Sequence, residues 1–299
     1  MPRNVWTLLR DAAVEWYNDN TFRLSAALAF YTIFSMAPIL LIAVAVAGVW
    51  FDQATTQRHV LREIEGLVGA EGARAVAPVL ARVQPESQSV WAAVIGFVLL
   101  GIGSTAVFAE LQSALNWIWD VQANPRRGYL RSLVVDRLES FAIVLGVGFL
   151  LLVSLVMSAA ISAAQEFLEG RVQTVSLIWR TLHLVTSYLM TAGLFALIYR
   201  FLPDVKLTWR DVGIGALTTA ALFTAGKHLI GLYIGRTAFA SDYGAAGSFV
   251  VLLIWVYYSA LISFFGAEFT HVYARRFGSQ IRPEPHAERV GRKDEPVED

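Results

Sequence analysis

Apolar residues in this chain run in long uninterrupted blocks, not in the alternation of a half-buried strand or the single stripe of a water-exposed helix. A bilayer core needs about 20 mostly apolar residues per helix. Six blocks meet that length: Leu24 to Phe51, Trp91 to Leu111, Phe141 to Ala164, Ile178 to Phe201, Val212 to Gly235 and Gly247 to Tyr273. The pattern predicts an all-α fold, a polytopic membrane bundle of six transmembrane helices occupying residues 24–273. Asp11, Glu15 and Asp19 precede the first block, which is also too long for a signal core, so it is expected to stay as a helix.

The segments between the blocks carry their own patterns. In residues 1–23, Trp6, Leu9, Ala13 and Trp16 recur at helical spacing beside Arg3, Arg10 and Tyr17, which fits a cytoplasmic helix lying in the membrane interface. A short helix packed on the bundle fits equally well. Asn18, Asp19 and Asn20 follow with turn and cap chemistry. Between the first two blocks, Leu61, Ile64 and Val68 mark one amphipathic stretch and Val76, Leu80 and Val83 another, separated near Gly69 to Gly72. An external helical hairpin over about 54–84 is the economical reading. From Gly278 onward the chain has no apolar periodicity and holds Pro283, Pro285 and mixed charge, so residues 274–299 are expected to form a disordered cytoplasmic tail.

Composition agrees with the blocks. Of 299 residues, 56% are hydrophobic and 16% charged, where soluble domains carry roughly 25% charged residues. Lys+Arg and Asp+Glu both number 24, leaving no basic surplus for a nucleic-acid partner. With no cysteine, disulfides, thiolate metal sites and a Cys nucleophile are excluded. Arg and Lys are unevenly shared between the two sides. Arg3, Arg10, Arg23, Arg126, Arg127, Arg131, Arg137, Arg200, Lys206, Arg210 and the six basic residues after Tyr273 fall on one side. Arg58, Arg62, Arg74, Arg82, Arg171, Arg180 and Arg236 fall on the other. The positive-inside rule then predicts an inner-membrane protein with both termini in the cytoplasm.

With Arg180 and Arg200 assigned to the ends of the fourth block, Lys227 is the one basic residue left inside a span, and an ionisable group there is a functional candidate by default. Gly213, Ala216, Ala220, Thr224, Lys227 and Gly231 share one small, polar stripe of the fifth block. Read structurally, the stripe is a close-packing face with Lys227 paired or snorkelling. Read functionally, it lines a cavity in which the ammonium holds an anion such as a lipid phosphate. Asp242, with Tyr243 in the short turn before the last block, is a candidate counterion. Glu110 and Asn116 would line an inner vestibule at the end of the second block. Glu268 stands three residues from His271 near the inner end of the last block, where it would accept a proton or pair with Arg200. In the first block Pro38 removes a backbone donor and Ser35 lies nearby to satisfy a freed carbonyl, which suggests a kink and a gating role, or a fixed bend.

Several fragments taken in order resemble a known family. They are Ala26-Ala27-Leu28-Ala29-Phe30-Tyr31-Thr32-Ile33-Phe34-Ser35-Met36-Ala37-Pro38, Ala114-Leu115-Asn116-Trp117-Ile118-Trp119 and Tyr199-Arg200-Phe201-Leu202-Pro203. Trp209-Arg210-Asp211, Gly215-Ala216, Ser241-Asp242-Tyr243-Gly244 and Gly266-Ala267-Glu268 extend the series. The chain resembles the BrkB/YihY family of bacterial inner-membrane proteins, once labelled ribonuclease BN. That resemblance implies six transmembrane helices and, for some members, envelope transport or lipid handling, without an established active site.

Three functions follow for testing. A transporter or translocase of a lipid or other anionic envelope-related substrate explains the polar residues within several blocks. A non-transporting envelope scaffold that binds membrane lipids or partner proteins explains the hairpin and the aromatic N-terminal helix. A hydrolase or nuclease fits least, because His59, His183, His228, His271 and His286 are scattered without a ligand motif. The expectation is a non-enzymatic protein without cofactor or metal. Small-residue faces also pack subunits, which leaves a homo-oligomer as an open alternative.

Overall fold

The computed structural model describes residues 2–47, 106–123, 175–236, 244–278 and 282–290, with eight helical positions between 58 and 77. Pro2 opens helix α1 (Pro2–Asn18), a position where its missing N–H costs nothing. The helix ends at Asp19 and Asn20, and Asn20 takes a left-handed φ of 52°, which asparagine tolerates better than most residues. Helix α2 (Thr21–Ala47) follows at once and runs unbroken through Pro38. Helix α3 (106–118) ends in the turn 119–120, where Asp120 is again left-handed with φ 53°. The remaining helices are α4 (Val175–Phe201), α5 (Trp209–Arg236) and α6 (Gly244–Phe277).

Helices α2, α4, α5 and α6 coincide with four of the six apolar blocks. The second block is described only from residue 106, and the third lies outside the described residues. Of the expected hairpin, positions 58, 61, 62, 65, 73, 74, 76 and 77 are helical and the rest lies outside the described residues. Among the described residues, Leu184–Phe201 and Val250–Phe277 are long and apolar enough to cross a membrane. Phe30, Phe34, Leu184, Leu189, Leu229 and Leu232 are each more than half exposed, the apolar outer surface expected of helices solvated by lipid.

The chain divides into two compact units, Met1–Asp19 with Ser113–Leu222 and Ser263–Asp299, and Asn20–Gln112 with Phe223–Ile262. In the first unit α1 packs on the end of α6. Leu8 and Ala12 are buried against Phe269 and Val272, and Trp16 meets Phe265 edge-on at 6.1 Å. Two ion pairs border this seam, Glu15 with Arg275 at 3.4 Å and Asp11 with Arg276. Those arginines are about half exposed, so each pair contributes at most about 1 kcal/mol. Burying a leucine or phenylalanine is worth about 1.5–3 kcal/mol, and the apolar seam holds the helix.

Within the same unit, α5 and α6 approach through reciprocal small residues. A side chain at Gly215 would fall on Thr270, and one at Gly266 on Thr219 and the Tyr199 hydroxyl. Each threonine hydroxyl donates to the carbonyl four residues earlier, Thr219 to Gly215 and Thr270 to Gly266, both at 2.7 Å. The pair is a Gly-x-x-x-Thr motif read in both directions, which lets two backbones close without leaving a hydroxyl unsatisfied. The Tyr199 hydroxyl of α4 closes the contact by donating to the Ser263 carbonyl at 2.6 Å.

Two corrections concern the polar segments. The fold is not purely helical: strand β1 (Val121–Ala123) pairs antiparallel with β4 (Ala287–Arg289), and β2 (Val205–Lys206) with β3 (Arg282–Pro283). The segment 282–290, expected to be disordered, is therefore a strap laid across two loops. Backbone bonds secure it, Glu284 N–H to the Asp204 carbonyl and Val290 N–H to the Asp120 carbonyl, both at 2.9 Å. Strands of two or three residues leave no periodicity to read in a sequence.

Candidate functional site

Helix α6 brings a polar pair into the interior. Glu268 and His271 stand one turn apart, with His271 Nδ1 3.9 Å from Glu268 Oε2. Glu268 is fully buried, and both its oxygens and His271 Nδ1 lack a hydrogen-bond partner among the described residues. Trp119, from the turn that ends α3, covers the imidazole with ring centroids 5.2 Å apart, and its Nε1 is likewise unpartnered. Glu15, Asp120 and Arg275 are the charged groups that act on Glu268. Buried polar atoms in folded chains are nearly always hydrogen-bonded, so three side chains unmet among the described residues make this cluster a candidate site. A carboxylate and an imidazole are both groups that carry a proton, and at 3.9 Å they stand beyond direct hydrogen-bond reach of each other.

The expected Arg200 to Glu268 pair is absent. Arg200 instead donates to the Leu207 carbonyl, and its guanidinium lies over Trp209, 5.9 Å from the ring centroid. This contact folds the chain sharply between α4 and α5. Thr208 then caps α5: its hydroxyl accepts from the Asp211 N–H at 3.4 Å and donates to Asp211 Oδ2 at 2.7 Å. Gly278 closes α6 beside that cap, where any side chain would meet the Asp211 carboxylate.

Asn116 is engaged by Asp204. Its amide donates to Asp204 Oδ2 at 2.7 Å and its carbonyl accepts from the Asp204 N–H at 2.8 Å. His286 of the strap approaches the other carboxylate oxygen at 3.2 Å. Asp204 is buried, and this three-residue knot ties α3, the α4–α5 loop and the strap together. Asp204 and His286 escaped the sequence reading. The available signal was an acid placed directly after Phe201-Leu202-Pro203, where a span gives way to a tight turn. Glu110, also on α3, is half-buried and belongs to the second unit.

In that second unit Lys227 is half-buried on α5, as is Thr224 one turn before it. At Gly231, one turn after, a side chain would meet nothing within 4 Å, and the same holds for Gly213 at the other end of the stripe. Ala216 and Ala220 in the first unit are buried. Close packing uses a different face: Gly226 meets Tyr258 and Ile262, as Gly215 meets Thr270. The stripe thus keeps open ends at its glycines, and the glycines that bring helices together were not those singled out by spacing from Lys227. Asp242 and Tyr243 lie outside the described residues. Ser35 is buried and donates to the Tyr31 carbonyl at 2.9 Å, not to the Phe34 carbonyl that the Pro38 ring leaves without a donor. Thr32 makes the same backward bond to Leu28 at 2.7 Å.

Residues 12–291 match the protein family described as virulence factor BrkB. A UPF0761 membrane protein of Ralstonia nicotianae is 28% identical over 255 residues, covering 83% of this chain and 54% of the relative. One of Rhodospirillum centenum is 26% identical over 266 residues, 88% of this chain and 56% of the relative. One of Chromobacterium violaceum is 27% identical over 270 residues, 88% and 61% respectively. The chain spans a little over half the length of these curated relatives. No solved structure matches it. With apolar helices whose outer faces suit lipid and a family match along nearly its whole length, the chain belongs to the BrkB family and is a bacterial membrane protein.

Proposed function

We propose that this protein is a transporter or translocase of the inner membrane that moves a lipid or another anionic envelope-related molecule. In this reading six helices cross the bilayer, both termini are cytoplasmic, and no covalent step is catalysed. The observation that carries it is Lys227, half-buried on an apolar helix, with open space one turn away at Gly231. An ionisable group on an apolar helix is a functional candidate by default, and an ammonium suits recognition of an anion. Thr224 on the same face supplies a hydroxyl for the same ligand. The Glu268–His271 pair gives the molecule a second buried group through which movement can be coupled to a proton.

Native mass spectrometry of the protein in mild detergent tests the Lys227 site. Wild type is expected to retain a defined anion, and a folded Lys227→Ala variant to retain at least tenfold less of it. Equal retention by both, or retention by neither, removes Lys227 from any binding role. That outcome favours the scaffold reading, which draws its support from the exposed aromatic face of α1.

A further inference from the structure

Helix α1 separates its charges by face. Its two acids, Asp11 and Glu15, turn toward Arg276 and Arg275 of α6. The opposite face carries Trp6, Arg10, Ala13 and Tyr17, each one turn from the next, and all four are exposed. Trp6 is 71% and Tyr17 70% exposed. With Leu9 and Val14 these residues line a shallow groove of about 550 Å³. Two large aromatics left bare beside an arginine would be an aggregation hazard in water, whereas at a membrane surface indole and phenol rings sit at headgroup depth. The other face of α1 is fastened to the inner end of α6, whose apolar run Val250–Phe277 is long enough to span a bilayer.

We propose that the outer groove of α1 binds an anionic phospholipid of the membrane leaflet it faces, with the phosphate on Arg10 and the glycerol and upper acyl carbons between Trp6 and Tyr17. The selectivity for an anion comes from the charge separation. Because α6 engages both acids of α1, no carboxylate among the described residues pairs with Arg10, and a guanidinium forks onto two phosphate oxygens. A zwitterionic lipid brings a compensating cation to the same place and gains less. This inference is independent of transport through the Lys227 region, since it concerns a helix outside the apolar blocks and holds equally for a scaffold.

The test uses the full chain in nanodiscs of phosphatidylcholine and phosphatidylglycerol, with bromine near the headgroup end of the acyl chains of one lipid or the other. Total composition stays the same, and only the brominated species changes. The emission of Trp6 is the difference between wild type and Trp6→Phe, a substitution at a site too exposed to disturb the fold. Brominated phosphatidylglycerol is expected to quench that emission severalfold more than brominated phosphatidylcholine, and Arg10→Gln to make the two equal while leaving the phosphatidylcholine quenching in place. Equal quenching by both lipids in wild type refutes the anion site. No quenching by either refutes lipid contact altogether and assigns the face to water, to a protein partner or to a second copy of the chain.

Discussion

Gly266→Val is expected to cost about 3 kcal/mol or more, enough to unfold much of the protein or to drive α5 and α6 apart. The added side chain would enter space already held by Thr219 and the Tyr199 hydroxyl. Neither can retreat cheaply. Thr219 is bonded to the Gly215 carbonyl and Tyr199 to the Ser263 carbonyl, and both residues are fully buried. Gly266→Ala is a milder form of the same insult, and adding Thr219→Ala to it should restore part of the loss by removing the atoms in the way. The matched control is Gly231→Ala, where a methyl group meets nothing within 4 Å and the helix gains about 0.5–1 kcal/mol from replacing glycine. Thermal unfolding in mild detergent ranks the variants. A Gly266→Val protein as stable as wild type would show that the two helices do not pack through these residues.

The second large effect belongs to the strap. Asn116→Ala removes both bonds that join Asn116 to Asp204, taking one hydrogen bond from a buried carboxylate that also meets His286 and one acceptor from the Asp204 N–H. Losing a hydrogen bond to a charged group costs about 1.5–3 kcal/mol, and stranding a buried donor about 1–3 more. At about 3 kcal/mol, the opened strap becomes roughly a hundredfold more populated, so trypsin should cut after Arg289 correspondingly faster, while the Arg282–Pro283 bond resists it. Gln122→Ala loses only an exposed bond to Glu288 of 3.1 Å and should shift stability by less than about 0.5 kcal/mol. Cleavage of Asn116→Ala at the wild-type rate would mean that the Asn116–Asp204 knot does not hold the strap.

These two predictions also show where sequence reasoning succeeds and where it stops. Apolar run length locates α4, α5 and α6 within a few residues, since bilayer thickness alone demands it. The helices are longer than the apolar blocks because polar caps extend them, as Thr208 and Asp211 do for α5. Residue spacing also brought Glu268 and His271 together, since both lie on one helix and one turn apart. Contacts between distant parts of the chain were not legible in the same way. Nothing local to Asn116 announces Asp204, 88 positions away, or to Gln122 announces Glu288, 166 away. The same limit explains the choice of glycines. Spacing from Lys227 selects Gly213 and Gly231, whereas the tight approach depends on threonines of another helix that meet Gly215 and Gly266. For α1, the structure shows the packed reading, with one face on α6, and leaves Trp6 and Tyr17 exposed on the other.

The central claim is that Lys227 serves the movement of an anion across the membrane, and flux measures this most directly. Vesicles containing a fluorescent phosphatidylglycerol analogue in both leaflets are treated with an impermeant reductant that bleaches only the outer leaflet, without a proton gradient and with a gradient of either sign. Wild type should speed loss of the protected fraction severalfold over protein-free vesicles in at least one condition, and folded Lys227→Ala should match the protein-free rate. Wild-type vesicles that behave as empty ones under all three conditions, or a Lys227→Ala variant as fast as wild type, would contradict the account.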